Sequence, residues 1–160
     1  MRRIAPVLLF LQVIVLCGCT SVDCPLFSTS YCKYVLAGPV SVLDDTLSIV
    51  AQREGKPDST LLNSKVNTTD FILPMSYIHD TDVLYFVLTD SLAVTRTDTV
   101  RVNKTNQPHF ESVDCTPSYQ HTLTSVEWTT HAIDSIIITK SKVTYDTTGG
   151  NLRIYFRARN

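Results

Sequence analysis

The sequence predicts an all-β protein folded as an antiparallel β-sandwich. The first observation is a hydrophobic period of two, as in LRIYFRA, where Leu152, Ile154 and Phe156 alternate with Arg and Tyr. The second is composition, since Thr recurs along the chain while Gly accounts for only 5 of 160 residues, which suits pleated, half-buried strands. The third is the spacing of turn clusters such as EGKPDS and DTTGGN, which separate short strands as in a sandwich.

Strands are expected at short intervals from residue 33 onward, and no segment shows a convincing helical period. TLSIVAQ places Leu47 and Ile49 on one face, and DTVRVNK places Val100 and Val102 on one face. TDSLAVTRTDTV predicts a tight hairpin or strand pair. Immunoglobulin-like topology is the first expectation, and a transthyretin-like or other sandwich is the alternative. The expected strands are 33–37, 46–53, 59–63, 70–73, 82–89, 92–95, 97–104, 108–113, 120–130, 133–140 and 151–158.

The first residues have the layout of a secretory signal. Arg2 and Arg3 precede an apolar run over residues 4–16, which reaches roughly 20 Å as a helix, short of a hydrocarbon core of about 30 Å. The following LCGC resembles a bacterial lipobox. The resemblance implies cleavage after Gly18 and a lipid group with several acyl chains, palmitate among them, on Cys19, which is enough for stable anchoring. An ordinary export signal is the alternative reading.

This signal divides the chain into three parts. Residues 1–18 are the expected lipoprotein signal peptide, residues 19–31 a lipidated N-terminus with a short tether, and residues 32–160 a single β-sandwich domain. The whole chain has a formal net charge of −1, and cleavage removes two arginines and no acids. The remaining mild acidity argues against a nucleic-acid partner, which requires a basic surface.

Besides the lipidated Cys19, three cysteines remain after cleavage, in a compartment where disulfides persist. The contexts SVDCP and SVDCTP are near copies and favour a bridge between Cys24 and Cys115, worth about 4 to 5 kcal/mol on the chain-entropy model. A bridge between Cys24 and Cys32 is the alternative and closes a much shorter loop. If Cys24 is tied into the fold, the tether from Cys19 is about five residues and spans at most roughly 18 Å, so the domain lies against the membrane.

Several strands are expected to begin with Asp followed by Ser or Thr. Hydrogen bonds from these side chains to the local backbone, where a turn leads into a strand, explain most of the pairs. The pairs also resemble the O-glycosylation sequon of exported proteins in Bacteroidetes, which requires an exposed residue. The candidate acceptors are Thr46, Ser59, Ser91, Thr99, Ser135 and Thr147.

The sequence contains no catalytic or metal-binding motif. Asp80 and Asp82 are spaced like the start of a calcium loop, but the Gly and the closing Glu are missing. The histidines are dispersed and none has a second His at a metal-ligand spacing: His79, His109, His121 and His131. We therefore expect no enzyme activity, no metal and no cofactor.

The run VLYFVL, residues 83–88, is apolar on both faces, unlike the alternating strands. This pattern predicts that something covers the outer face of that strand. A loop of the same chain is the first explanation and a partner or ligand the second. In the second case Tyr85, Trp128 and Tyr155 are the possible binding surface, with rings that could stack on sugars.

The sequence resembles a family of small lipoproteins of unknown function from Bacteroidetes over nearly the whole mature chain. The segments SVDCPL, LPMSYIHDTDVLYFVLTDSLAVTRTDTVRVNKTNQPHFESVDC and HAIDSIIIT carry the resemblance. It implies a Gram-negative envelope and no known activity, cofactor or catalytic residue. Cys24 and Cys115 match the recurrent cysteines of the family and Cys32 does not, which supports leaving Cys32 unpaired.

The expected function is that of a non-enzymatic lipoprotein, tethered to the outer membrane, which binds or supports another envelope component. Surface lipoproteins of that phylum often carry an acidic pair after the lipidated cysteine, and here Asp23 stands alone. The periplasmic face is therefore favoured over the cell surface. A carbohydrate-binding accessory module is the alternative function.

Overall fold

The computed structural model describes residue 24, residues 29–110 and residues 112–158, and within them two β-sheets pack into a sandwich. The predicted all-β sandwich is confirmed, whereas immunoglobulin-like topology stays a prediction and the signal peptide lies outside the described residues. In the described part of the chain, no helix is long and apolar enough to cross a membrane. The strands are β1 (Tyr31–Ala37), β2 (Thr46–Ala51), β3 (Ser59–Lys65), β4 (Asp70–Pro74), β5 (Thr81–Thr89), β6 (Thr95–His109), β7 (Ser118–Trp128), β8 (Ile133–Ile138), β9 (Lys142–Val143) and β10 (Leu152–Phe156).

The four-stranded sheet has the order β4-β1-β10-β8, and the six-stranded sheet has the order β3-β2-β5-β6-β7-β9. All neighbours are antiparallel except β1 and β10, which run parallel. Asn151 extends that parallel pair, since its N–H donates to the Lys33 carbonyl at 2.8 Å and its Oδ1 accepts from the Lys33 N–H at 3.0 Å. Gly150 precedes it with φ +74°, and a Cβ there would lie 2.6 Å from Val35 Cγ2. Only glycine fits this approach.

The core lies between the inward faces of the two sheets and is centred on three rings. Tyr34 of β1 stacks on Phe71 of β4 with ring centroids 4.9 Å apart, and Phe86 of β5 lies 6.0 Å from both. All three are buried. Burying each such side chain contributes about 1.5 to 3 kcal/mol, and the ring geometry adds to it. The inward positions of β2, β6 and β10 surround this centre with aliphatic side chains.

The hairpin predicted in TDSLAVTRTDTV is confirmed, because Thr89 pairs with Thr95. The strand predicted at 92–95 is wrong, since residues 90–94 form the turn of this hairpin. Asp90 Oδ1 accepts hydrogen bonds from the backbone N–H groups of Leu92 and Val94, both at 2.9 Å. An Asp side chain that satisfies its own turn favours this conformation over a strand.

The strands predicted at 97–104 and 108–113 are largely one continuous strand, β6. The β5–β6 ladder ends at Asn103, and beyond this residue β6 pairs with β7 alone. Pro108 is tolerated in that part because an edge strand has one side without ladder hydrogen bonds. The short strand β9, which pairs with β7 at His121 and Thr122, was not expected from the sequence.

Asp98 of β6 joins the two sheets. It lies on the β8 side of the core, away from Thr81, the first residue of β5. Its Oδ1 accepts from Thr129 Oγ1 and the His131 N–H, both at 2.7 Å. Its Oδ2 accepts from the N–H groups of Ala132 at 2.7 Å and Ile133 at 2.8 Å, where β8 begins. Burial alone would raise the pKa of Asp98, but the four donors outweigh it and the pKa is lowered. The carboxylate therefore stays charged while fully buried.

Candidate functional site

One end of the sandwich carries an open cleft between the β2–β3 turn and the β4–β5 connection. Its volume is about 360 Å³, within the range of small-ligand sites. Buried Met75 and Leu84 form its apolar part, and exposed side chains of both charges form its rim. The rim residues are Arg53, Glu54, Lys56 and His79. This combination suits an extended segment with apolar and charged side chains.

The apolar run at residues 83–88 contributes to both the core and the cleft. Leu84, Phe86 and Leu88 are buried in the core, and the alternate residues are half-buried on the outer face. On that face the Tyr85 hydroxyl donates to Gln52 Oε1 at 3.3 Å. Val83 lines the cleft.

Asp82 also lines the cleft, and the buried Lys104 of β6 holds its carboxylate. Lys104 Nζ lies 3.1 Å from Asp82 Oδ1, with side chains 0% and 13% exposed respectively. The same ammonium donates to the His79 carbonyl at 2.6 Å, and the Ser76 N–H donates to Asp82 Oδ2 at 3.4 Å. Burial raises the pKa of Asp82, and Lys104 offsets part of the increase. Both carboxylate oxygens are therefore engaged within the protein.

Asn106 extends this network to His121. Its Nδ2 donates to the His79 carbonyl at 3.1 Å and to Asp80 Oδ1 at 3.0 Å. Its Oδ1 therefore faces His121 Nδ1 at 2.8 Å, and the imidazole must donate. Burial and the charge of Lys104 lower the pKa of His121 from 6.5 to about 4. The ring is thus neutral, with its proton on Nδ1.

Acidification through the titration range of His121 is expected to destabilise the fold. In the unfolded chain His121 is protonated near pH 6.5, whereas in the folded protein it is protonated only near pH 4. Stability should therefore fall as the pH drops across this window, by about 3 kcal/mol, and this contribution should level off below it. Urea unfolding at a series of pH values measures the slope. We expect it to shrink in His121→Gln and to persist in His131→Gln, an exposed control; an unchanged slope in His121→Gln would contradict the assignment.

Cys32 is a free thiol buried in the core. Burial, and then the charge of Asp82, raise its pKa to about 12 against a lowering hydrogen bond with Tyr34. The thiol therefore stays protonated at neutral pH and lacks the thiolate that a nucleophile or a metal ligand requires.

The predicted disulfide between Cys24 and Cys115 is confirmed, with Cα atoms 5.4 Å apart. Cys115 lies in the β6–β7 loop, which we define as residues 110–117. The bridge thus attaches Cys24, five residues after Cys19, to the tip of a hairpin in the six-stranded sheet. Cys19 itself lies outside the described residues.

The aromatic residues predicted as a binding surface lie in three separate places. Tyr85 projects from the outer face of the six-stranded sheet, and Tyr155 from the outer face of the four-stranded sheet. Trp128 pairs with the inward-facing Val100 and donates through Nε1 to the Asp134 carbonyl at 3.2 Å. The expectation of one aromatic platform is therefore corrected, because two rings face opposite sides and the third links the two sheets.

The six candidate glycosylation residues differ in exposure. Ser91 lies exposed in the β5–β6 turn, whereas the other five are half-buried. Those five are Thr46, Ser59, Thr99, Ser135 and Thr147. Ser91 is thus the candidate that geometry leaves accessible to a bulky glycan.

Sequence reasoning missed the Lys104 network and the cleft. The signal for Lys104 was present, since it continues the inward face of Val100 and Val102. A charge at such a position indicates a buried partner. Two of the four rim residues, Glu54 and Lys56, lie in EGKPDS, which has the composition of an ordinary turn and gives no signal of a site.

Comparison with known proteins places most of the chain in one family. Residues 46–156 match the model of a family of unknown function (DUF6452), so the match covers the chain from β2 to β10. No curated protein and no solved structure matches the chain.

Proposed function

Since the chain belongs to the DUF6452 family of unknown function, we propose its function from its own residues. It is a lipid-anchored, non-enzymatic module of a Gram-negative envelope that binds a segment of another envelope protein in its cleft. Its place is the outer membrane, on the periplasmic face, with Cys19 as the lipidated residue.

The observation that carries this proposal is the bridge between Cys24 and Cys115. It attaches the domain to the chain about five residues after the lipobox cysteine, a span of at most roughly 18 Å. A reach this short favours a component that works next to the bilayer over a receptor on a long flexible stalk.

The cleft supports a peptide segment as the bound partner. Its apolar part accepts an aliphatic or aromatic side chain, and its rim offers Arg53 and Lys56 beside Glu54. The rim is exposed, whereas Asp82 and Lys104 are committed to each other. The arrangement thus supports recognition of a segment that carries apolar and charged side chains.

Replacing Cys19 by alanine is expected to remove the protein from the outer membrane. Without the thiol no lipid is attached, and the uncleaved or soluble chain leaves the outer-membrane fraction. Cell fractionation and intact mass measure the outcome, with loss of residues 1–18, added acyl chains and two missing hydrogens expected for the wild type. Added hexose on a peptide containing Ser91 would support glycosylation. Cys17→Ala, within the signal, is the control that keeps its lipid; retention of Cys19→Ala in the outer-membrane fraction would refute the anchor.

The binding part of the proposal is tested on the same membranes. A photoreactive amino acid replaces Glu54 in the rim or, as control, Thr97 on the exposed outer face of the six-stranded sheet. We expect one envelope protein to be crosslinked from position 54 and not from position 97. Identical products from both positions, or none from position 54, would count against the cleft as the binding site.

A further inference from the structure

At the cleft end, β6 and β7 extend beyond β5, and the short strand β9 flanks β7 at His121 and Thr122 in the first part of this extension. The last residue of β6 that pairs with β5 is Asn103, opposite Thr81, while β6 continues to His109, opposite Ser118. At about 3.3 Å per residue this extension measures roughly 20 Å. We call residues 104–109 and 118–123 the β6–β7 arm, and the β6–β7 loop is its tip.

The arm is braced against the rest of the domain. Tyr119 stacks on Tyr77 of the β4–β5 connection, with ring centroids 4.7 Å apart. The Tyr119 carbonyl accepts from Ser30 Oγ at 2.6 Å, just before β1. These contacts fix the direction of the arm, so its tip has a defined place at one end of the sandwich.

The tip exposes two large apolar side chains. Phe110 is 62% exposed and Val113 is 98% exposed, next to the buried Cys115. The Cys115 N–H donates to the Ser112 carbonyl at 3.2 Å, closing a turn that presents Val113 outward. The loop sequence FESVDCTP contains two acidic residues, Glu111 and Asp114, and no Lys or Arg, so an attraction to a lipid surface would be apolar and not electrostatic.

Exposure alone does not distinguish this end from the other, because Leu92 in the β5–β6 turn is 82% exposed. The disulfide does distinguish them. Cys24 is bonded to Cys115 at the arm tip, and a tether of about five residues reaches at most roughly 18 Å. From the base of the arm at Asn103, the β5–β6 ladder extends roughly 27 Å in the direction away from the tip, and Leu92 lies beyond its far end.

We propose that the β6–β7 loop is the surface of this domain that contacts the lipid bilayer, with Phe110 and Val113 entering its interfacial region. The proposal rests on the proposed lipid anchor at Cys19. An aromatic and an aliphatic side chain at the end of a short tether suit the boundary between headgroups and acyl chains. The bilayer, rather than a second copy or a protein, is the occupant because the tether leads from this tip to the acyl chains.

Tryptophan fluorescence in the complete lipidated protein tests this orientation. The natural sequence has a single Trp, Trp128, at the end of β7 away from the arm. In a Trp128→Phe background, Phe110→Trp places a reporter at the tip and Leu92→Trp places one at the opposite end. Each variant is reconstituted into phosphatidylcholine vesicles with or without bromine on the acyl chains, after its lipid is verified by intact mass and its fold by circular dichroism.

Bromine should remove a large part of the emission from the reporter at position 110, with a blue-shifted maximum, and leave the reporter at position 92 unchanged. The loss should persist at high salt, because the contact is apolar. A lipidated protein with equal emission in both vesicles overturns the orientation and leaves the anchor intact. A blue-shifted but unquenched reporter also overturns it, indicating a protein or a second copy at the tip. A protein without lipid overturns both the anchor and the orientation.

Discussion

Replacing Asp98 by alanine is expected to lower the free energy of unfolding by about 4 kcal/mol, enough to leave much of the protein unfolded near physiological temperature. The substitution removes one carboxylate and leaves four donors without their acceptor, three of them backbone N–H groups at the entry to β8. Buried donors without partners each cost about 1 to 3 kcal/mol, reduced where water can enter. Urea unfolding followed by circular dichroism measures the loss.

Asp44→Ala is the matched control, because Asp44 is exposed and its loss should change stability by about 0.5 kcal/mol or less. Asp98→Asn separates charge from shape, since its amide can accept at one atom only. The lowered pKa of Asp98 adds a second check. Its stabilisation is present above the ordinary Asp pKa and is lost as the pH falls below it. An Asp98→Ala protein within 1 kcal/mol of the wild type would show that the connection between the sheets does not depend on this carboxylate.

Replacing Lys104 by methionine is expected to cost about 3 to 5 kcal/mol, because it leaves the carboxylate of Asp82 buried without its counter-ion. The His79 carbonyl loses one of its two donors and keeps Asn106. Without Lys104 the pKa of Asp82 should rise further. The deficit should therefore be smallest at low pH, where Asp82 is protonated, and grow as the pH increases. Chemical denaturation at several pH values follows this trend.

Two further variants make this result specific. Lys104→Met combined with Asp82→Leu removes both charges and should recover most of the lost stability, as replacement of a whole buried pair usually does. Lys140→Met breaks a pair of similar length, 2.9 Å to Asp146, between side chains that are 38% and 53% exposed. Such a surface pair is worth about 0 to 1 kcal/mol. A Lys104→Met protein as stable as Lys140→Met would refute the network.

The alternation of apolar and polar residues in β6 shows which features of the buried network could be predicted from the sequence. The period of two that identifies Val100 and Val102 as inward residues also places Asp98 and Lys104 on the same face. Two charges at the ends of an apolar run could therefore be predicted as buried and partnered. Their partners could not, because Asp82 and the start of β8 approach only through tertiary pairing.

Sheet membership sets the second limit. Alternation predicts that Tyr85 and Tyr155 point away from the core, as they do. It does not say that β5 and β10 belong to different sheets, and this is why the predicted aromatic platform does not assemble. The disulfide was easier to predict from the sequence, because both cysteines have the same local context, SVDC. The parallel pairing of β1 with β10 joins the two ends of the described domain and leaves no local signal.

The bridge at the arm tip also determines how the domain would bear a mechanical load. If the proposed anchor at Cys19 holds the chain in a membrane, a pull on Cys24 would pass through Cys115 into both strands of the arm. With the opposing force on β5, the nine residue pairs between β5 and β6 would be loaded together in shear, and the ladder would not open one pair at a time as it does when it is peeled from an end. Reducing the bridge would move the load to the segment before β1, so the same disulfide that shortens the tether would make the module stiffer under tension.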